Sequence, residues 1–149
     1  MKVVLQRCKT ASVKVDKKTV GKINGGLLIL VAFTSEEDIT NIPYMVDKIV
    51  NLRIFDDENG VMNKSLLDIK GEILSVSQFT LYADTKKGRR PSYIDALAGD
   101  KAIKLYEKFN KEFTKYNIEP QTGIFGADME VSLCLLYTSP SPRDRQKSR

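Results

Sequence analysis

Residues 24–33 read NGGLLILVAF: a turn signal, Asn24-Gly25-Gly26, followed by an unbroken apolar run from Leu27 to Phe33. A strand with one wet face alternates apolar and polar residues, so unbroken apolarity over this length marks a strand covered on both faces. Toward the N-terminus, ASVKVD (11–16) sets Val13 and Val15 against polar neighbours. After the DKK turn, TVGKI (19–23) returns as the second arm of a hairpin. KVVLQRC (2–8) reads as a further strand. Toward the C-terminus, Ile39, Ile42, Met45 or Val46, and Ile49 recur at helical spacing. Asn41 is the candidate cap of that helix, because Pro43 is tolerated only in a first turn. LRIFDD (52–57) returns as a short strand, and KGEILSVSQFTLYA (70–83) contains a longer one. A second helix is predicted over roughly 100–114, with Asp100 as cap and Ala102, Leu105 or Tyr106, Phe109 and Phe113 on one face. YNIEPQTG (116–123) reads as a loop, and DMEVSL (128–133) opens a last strand. Strands with two inserted helices, rather than a regular βαβ alternation, make an α+β fold.

The chain has 149 residues, enough for one domain with a real core. An apolar fraction of 42% with 29% charged residues is that of an ordinary soluble globular protein. The apolar stretch in MKVVLQRCK is too short for a signal-peptide core, and the run 27–33 falls far below the roughly 20 residues of a membrane span. With two cysteines far apart, Cys8 and Cys134, the expectation is a reduced, cytoplasmic protein without membrane association. The chain contains no histidine. That argues against a zinc site and removes the usual general base of a serine or cysteine hydrolase. DDENG (56–60) lacks the calcium-loop pattern and reads as a turn. Neither a metal nor a cofactor is expected.

From Cys134 the text changes to CLLYTSPSPRDRQKSR, rich in proline, serine and arginine. This segment carries net +3, so residues 1–133, with 20 basic and 18 acidic side chains, carry only +2. One reading is a disordered basic tail that grips RNA. The other, favoured here, follows from a resemblance of CLLYTSPSPRD to one frame of a translated sequencing adapter. On that reading residues 1–133 form the domain, and 134–149 are a non-native, disordered tail whose charge says nothing about partners.

SQFTL (77–81) closes the apolar run Ile73, Leu74, Val76 and leads into YADTKKGRRPSY (82–93). Hydroxyl, amide and ring stand side by side, read here as a polar site on a buried strand. Beside it lies a loop bearing Lys86, Lys87, Arg89 and Arg90. Together with VLQR, ASV, GLLIL, RIF, MN and QTGIFGADMEVSL, this order of motifs resembles the D-aminoacyl-tRNA deacylase family across essentially all of 1–133. The resemblance implies a strongly curved, barrel-like, antiparallel-rich mixed sheet with two main helices outside, assembled as a homodimer. It implies hydrolysis of the ester of a D-amino acid, or of glycine on tRNA(Ala), at the 3′ end of tRNA. Family members continue after VSL into an Asn-x-Gly-Pro-x-Thr motif and a final strand. Its Gly-Pro unit enters the partner subunit's pocket and excludes L-amino acids. Tyr137 and Thr138 stand there in this chain, and loss of a final strand exposes a sheet edge.

An aminoacyl ester is activated, so its hydrolysis needs a placed carbonyl, a stabilised oxyanion and an activated oxygen. Thr80 is the candidate nucleophile on paper, but no histidine is present to serve it as base. The alternative leaves activation to the neighbouring ribose hydroxyl of the tRNA, as the resemblance implies. Ser77, Gln78 and Thr80 then orient the substrate, and backbone N–H groups around Phe79 and Thr80 hold the oxyanion. Phe125 and Met129 resemble the family's walls for the terminal adenosine, and Arg7 its support for the Gly-Pro element. Lys86, Lys87, Arg89 and Arg90 are candidate phosphate contacts. Against these stand blander readings: strand residues satisfied by backbone bonds, a core Phe and Met, a solvated basic loop. At the level of function the alternatives are a non-catalytic RNA-binding module and an inactive, truncated deacylase.

Overall fold

The structure, a computed structural model, describes residues 1–136. β1 (Lys2–Val15) is one 14-residue strand where the sequence suggested two. Its side chains change phase midway: Cys8 and Ala11 are both buried, and Lys9 and Thr10 between them are exposed. A bulge at Cys8/Thr10 absorbs the extra residue. Alternation read from sequence breaks there, although the strand does not. β2 (Lys18–Ile23) pairs antiparallel with the second half of β1, after a turn in which Asp16 and Lys17 have positive φ. β3 (Gly26–Ala32) pairs antiparallel with the first half.

A 3-10 turn (Glu36–Asn41) leads into α1 (Ile42–Asn51), with Pro43 in its first turn. Asn41 holds the cap position, but its side chain makes no capping bond. The earlier turn is the one that is capped, by Ser35 and Asp38 reciprocally. β4 (Phe55–Asp56) and β5 (Met62–Lys64) form a small hairpin. Its turn is closed by the Asp57 carboxylate, which accepts from the N–H groups of Asn59 and Val61. After α2 (Leu66–Ile69), β6 (Glu72–Ser77) runs parallel to β3. α3 (Gly99–Glu112) has Ala98 at its N-cap, so Asp100 lies inside its first turn and is not its cap. An aspartate there still suits the positive end of the helix. β7 (Gln121–Thr122), within the predicted loop, runs parallel to β6, and β8 (Glu130–Leu135) pairs antiparallel with the free edge of β1.

The sheet order is β2-β1-β3-β6-β7, with β8 also on β1. Both parallel steps, β3 to β6 and β6 to β7, are bridged by segments carrying a helix, as parallel pairing requires. The sheet curls until β2 meets β6 and β7. At that seam a Cβ on Gly21 would stand 2.8 Å from the Thr122 carbonyl oxygen and 3.1 Å from Leu74 Cδ1. Gly26, at φ 147°, has its missing side chain aimed into the Glu72 backbone, so β3 and β6 meet at their start only through glycine.

The two faces of β3 explain its unbroken apolarity. Leu27, Ile29 and Val31 face α1 and α3, packing with Val46, Ile49, Leu105, Tyr106 and Phe109. Leu28 faces the inside of the curl with Cys8, Val13, Ile23, Leu74 and Val76. Each fully buried side chain of this kind contributes roughly 1.5–3 kcal/mol. The mixed α+β architecture, the barrel-like sheet and the two main helices outside are those expected. At the C-terminus, β8 continues beyond Leu133 through Cys134 and Leu135, which pair with Thr10 and Cys8. The remainder of the predicted tail, 137–149, lies outside the described residues.

Candidate active site at the C-terminal end of the central strand

The main correction to the sequence reading concerns SQFTL. Only Ser77 is in the strand. Gln78 leaves the sheet, anchored by its N–H to the Val31 carbonyl at 2.8 Å, and residues 79–82 form a 3-10 turn. Strand propensity of Phe, Thr and Leu yields here to the edge of the sheet, where β3 itself ends at Ala32. The turn's first bond is Leu81 N–H to Gln78 O. The N–H groups of Phe79 and Thr80 precede it and have no acceptor within the turn.

Beside this turn is a cavity of about 480 Å³. Ser77, Gln78 and Phe79 line one side, and Phe125 and Met129 line another. Tyr93, Leu97, Gly99 and Ala102 form part of the rim. The rim is tied to the sheet: Leu97 N–H donates to Phe33 O at 2.9 Å, and Thr34 Oγ1 donates to Asp95 O at 2.5 Å. Phe79, 56% exposed, stacks edge-on against Tyr93 with ring centroids 5.1 Å apart. Phe125 leans on Tyr106 at 6.0 Å. Tyr106 is itself fixed by its hydroxyl, which donates to the Ser75 carbonyl at 2.7 Å. Burial pushes the Tyr106 phenol up, and its bonds with Asn110 and Ser75 offset this only in part, so it stays protonated. Among the described residues, Asp128 is the one carboxylate in the lining, which contains no lysine or arginine.

Thr80 is half-buried and stands outside the lining, with its hydroxyl accepting from the Gln78 side-chain amide. Lys86, Lys87, Arg89 and Arg90 are exposed on a loop whose ends are clamped by reciprocal backbone bonds between Asp84 and Ser92, each 2.8 Å. Tyr93 follows that clamp directly, so the basic loop springs from the cavity's rim. Arg7 is elsewhere. Its guanidinium is buried on β1, donates to the Ile54 carbonyl at 2.7 Å and stands 3.7 Å from the Asp56 carboxylate. Sequence reasoning missed Tyr93, Leu97 and Ala102 as lining residues. Tyr93 alone had a signal, an aromatic at the end of the GRRPS run.

The comparisons with known proteins bear on this geometry. The D-Tyr-tRNA(Tyr) deacylase profile matches residues 4–135, a span that takes in the cavity and every strand but the first residues of β1. The chain belongs to the D-Tyr-tRNA(Tyr) deacylase family. Among curated relatives, a D-aminoacyl-tRNA deacylase of Thermosipho africanus is 56% identical over 133 residues, 89% of this chain and 89% of that protein. One of Clostridium tetani is 55% identical over the same shares. Among solved structures, a c-Myc DNA unwinding element binding protein superposes with a TM-score of 0.82 at 36% identity, covering 90% of this chain and 91% of that one. A probable eukaryotic D-amino acid tRNA deacylase, at 19% identity and a TM-score of 0.77, shares the deacylase-family fold.

Proposed function

We propose that the chain hydrolyses the ester bond of D-aminoacyl-tRNA, and of glycine mischarged on tRNA(Ala), as chiral proofreading in the cytoplasm. The carrying observation is the convergence of Ser77, Gln78 and Phe79 with Phe125 and Met129 on one cavity, in a chain of the deacylase family. The terminal adenosine lies against Phe125 and Met129, an aromatic face and a soft side chain suited to a base. The aminoacyl carbonyl faces the turn at 79–82, where the Phe79 and Thr80 N–H groups receive the oxyanion. Water adds to the carbonyl carbon, and the bond from that carbon to the ribose 3′-oxygen breaks. The 2′-hydroxyl passes the water's proton to the departing 3′-oxygen. Ser77, Gln78 and Thr80 orient the ester, and no protein base is required. Lys86, Lys87, Arg89 and Arg90 hold phosphates near the 3′ end. In the natural protein a homodimer supplies the Gly-Pro element, near which Arg7 serves, and 134–149 is a non-native replacement of that segment.

The test compares release of D-tyrosine and L-tyrosine from the two tyrosyl-tRNAs. It uses this chain and the chain with 134–149 replaced by the C-terminal segment of the Thermosipho relative. The restored chain is expected to release D-tyrosine and spare the L-ester. No release from either ester by either protein overturns the reading. A second reading, a non-catalytic nucleic-acid-binding module, is favoured by the 36% identity to a c-Myc DNA unwinding element binding protein. It is the one left standing if tRNA binds without turnover.

A further inference from the structure

Outside the cavity, a groove of about 650 Å³ runs along α3, with Ile39, Leu105 and Thr114 in its wall. Its bank is a row of lysines. Lys101, Lys104, Lys108, Lys111 and Lys115 recur at spacings of three, four, three and four, which places them in one ridge running roughly 20 Å along the helix and the turn that follows it. All five are exposed. The two ends are neutralised, Lys101 by Glu36 and Lys115 by Glu112. Among the described residues, the three in the middle make no ion pair, and Glu107 is the only other carboxylate in the groove. Neighbouring lysines at these spacings repel and weaken a helix. In residues 1–133, where basic side chains exceed acidic ones by only two, such a row is a concentration of charge.

The ridge and the cavity share α3: Gly99 and Ala102, in its first turn, line the cavity, while the lysines stand on the exposed outer face of the same helix. The basic loop 86–90 lies on the chain just before the rim residues 93–102, and the three lysines without an ion pair, Lys104, Lys108 and Lys111, follow them. From this placement we infer that the α3 ridge docks the phosphodiester backbone of the tRNA acceptor stem while the 3′ end occupies the cavity. The assignment rests on the function proposed above. Regularly spaced ammonium groups match a phosphate backbone in charge and carry no base readout, as suits an enzyme that must accept many tRNAs.

The experiment is binding of uncharged tRNA, followed by fluorescence anisotropy across a salt series, for the wild-type chain and K104Q/K108Q/K111Q. Glutamine keeps helix propensity, and an unchanged circular dichroism spectrum verifies the fold. The variant is expected to bind about tenfold or more weakly near 0.1 M salt, with a salt dependence shallower by about two to three phosphate contacts. K104R/K108R/K111R restores wild-type binding, because charge is what the ridge supplies. A CCA trinucleotide, the part of the tRNA that the cavity takes, is expected to bind all three proteins equally. Wild-type affinity and salt slope in the glutamine variant overturn the assignment, as does an arginine variant as weak as the glutamine one. Uncharged tRNA carries no ester. Failure of hydrolysis therefore appears in the tyrosine-release assay alone and leaves this measurement intact.

Discussion

The Gln78 side-chain amide donates to the hydroxyl oxygen of Thr80. A lone pair engaged by an amide N–H is less available for attack, and the hydroxyl's own proton is left to donate. This geometry suits a residue that orients a substrate better than one that attacks it. Thr80→Ala should then lose one hydrogen bond, about 0.5–1.5 kcal/mol, or roughly two- to tenfold in kcat/KM. A tRNA ending in 2′-deoxyadenosine should lose turnover almost completely. Single-turnover rates with both substrates provide the comparison. A fall of several thousandfold in Thr80→Ala would reinstate the covalent route.

Phe125 and Met129 are expected to act through binding. Stacking of a base on an aromatic side chain contributes about 1–3 kcal/mol, so Phe125→Ala should raise KM roughly five- to 150-fold with a smaller change in kcat. Gly123→Ala reaches the same wall indirectly. A Cβ at Gly123 would meet the Met129 sulfur, and that flexible side chain must swing aside. KM should rise while the melting temperature stays within a few degrees.

Tyr106 tests the support behind that wall. Tyr106→Phe removes the buried bond to Ser75 O, which still accepts from the Gly123 N–H at 3.3 Å. The expected cost is about 1 kcal/mol, seen in calorimetry as a fall of roughly 2–4 °C.

Asp38 contributes to the acid limit of stability. Burial pushes its carboxyl up, but the Thr34 N–H, the Met1 ammonium and the Ser35 N–H together hold it below the usual range. Its Oδ2 lies 2.8 Å from the Thr34 nitrogen, 3.2 Å from that of Ser35 and 3.1 Å from the Met1 nitrogen. A carboxyl whose folded pKa is lowered stabilises the fold above its unfolded pKa, near 3.9, and that contribution is lost as pH falls through the folded value. Asp38→Asn should cost about 3 kcal/mol at neutral pH, because the ammonium loses its partner. It should also flatten the decline of stability below about pH 4. Urea unfolding at several pH values measures both.

Much of this protein can be read from local pattern. The doubly covered strand at 27–33, the apolar faces of both helices and the hairpin at 11–23 follow from periodicity and turn chemistry. The absence of histidine narrows the chemistry before any fold is known. The motif order around SQFTL and FGADM is specific enough to point to the family. What lay beyond reach were features set by partners distant in sequence. Cys8 and Ala11 face the same way only because a bulge against β8 lets them, so one strand looks like two. Gln78 leaves the sheet where β3 ends, which no property of SQFTL announces. Tyr93 and Ala102 reach the cavity because Leu97 is tied to Phe33. The lysine spacing on α3 is visible in the text, but that the first turn of the same helix lines the cavity is not. Periodicity acts through neighbours within a turn or two, whereas a site is assembled by contacts between strands and loops whose separation the chain does not encode locally.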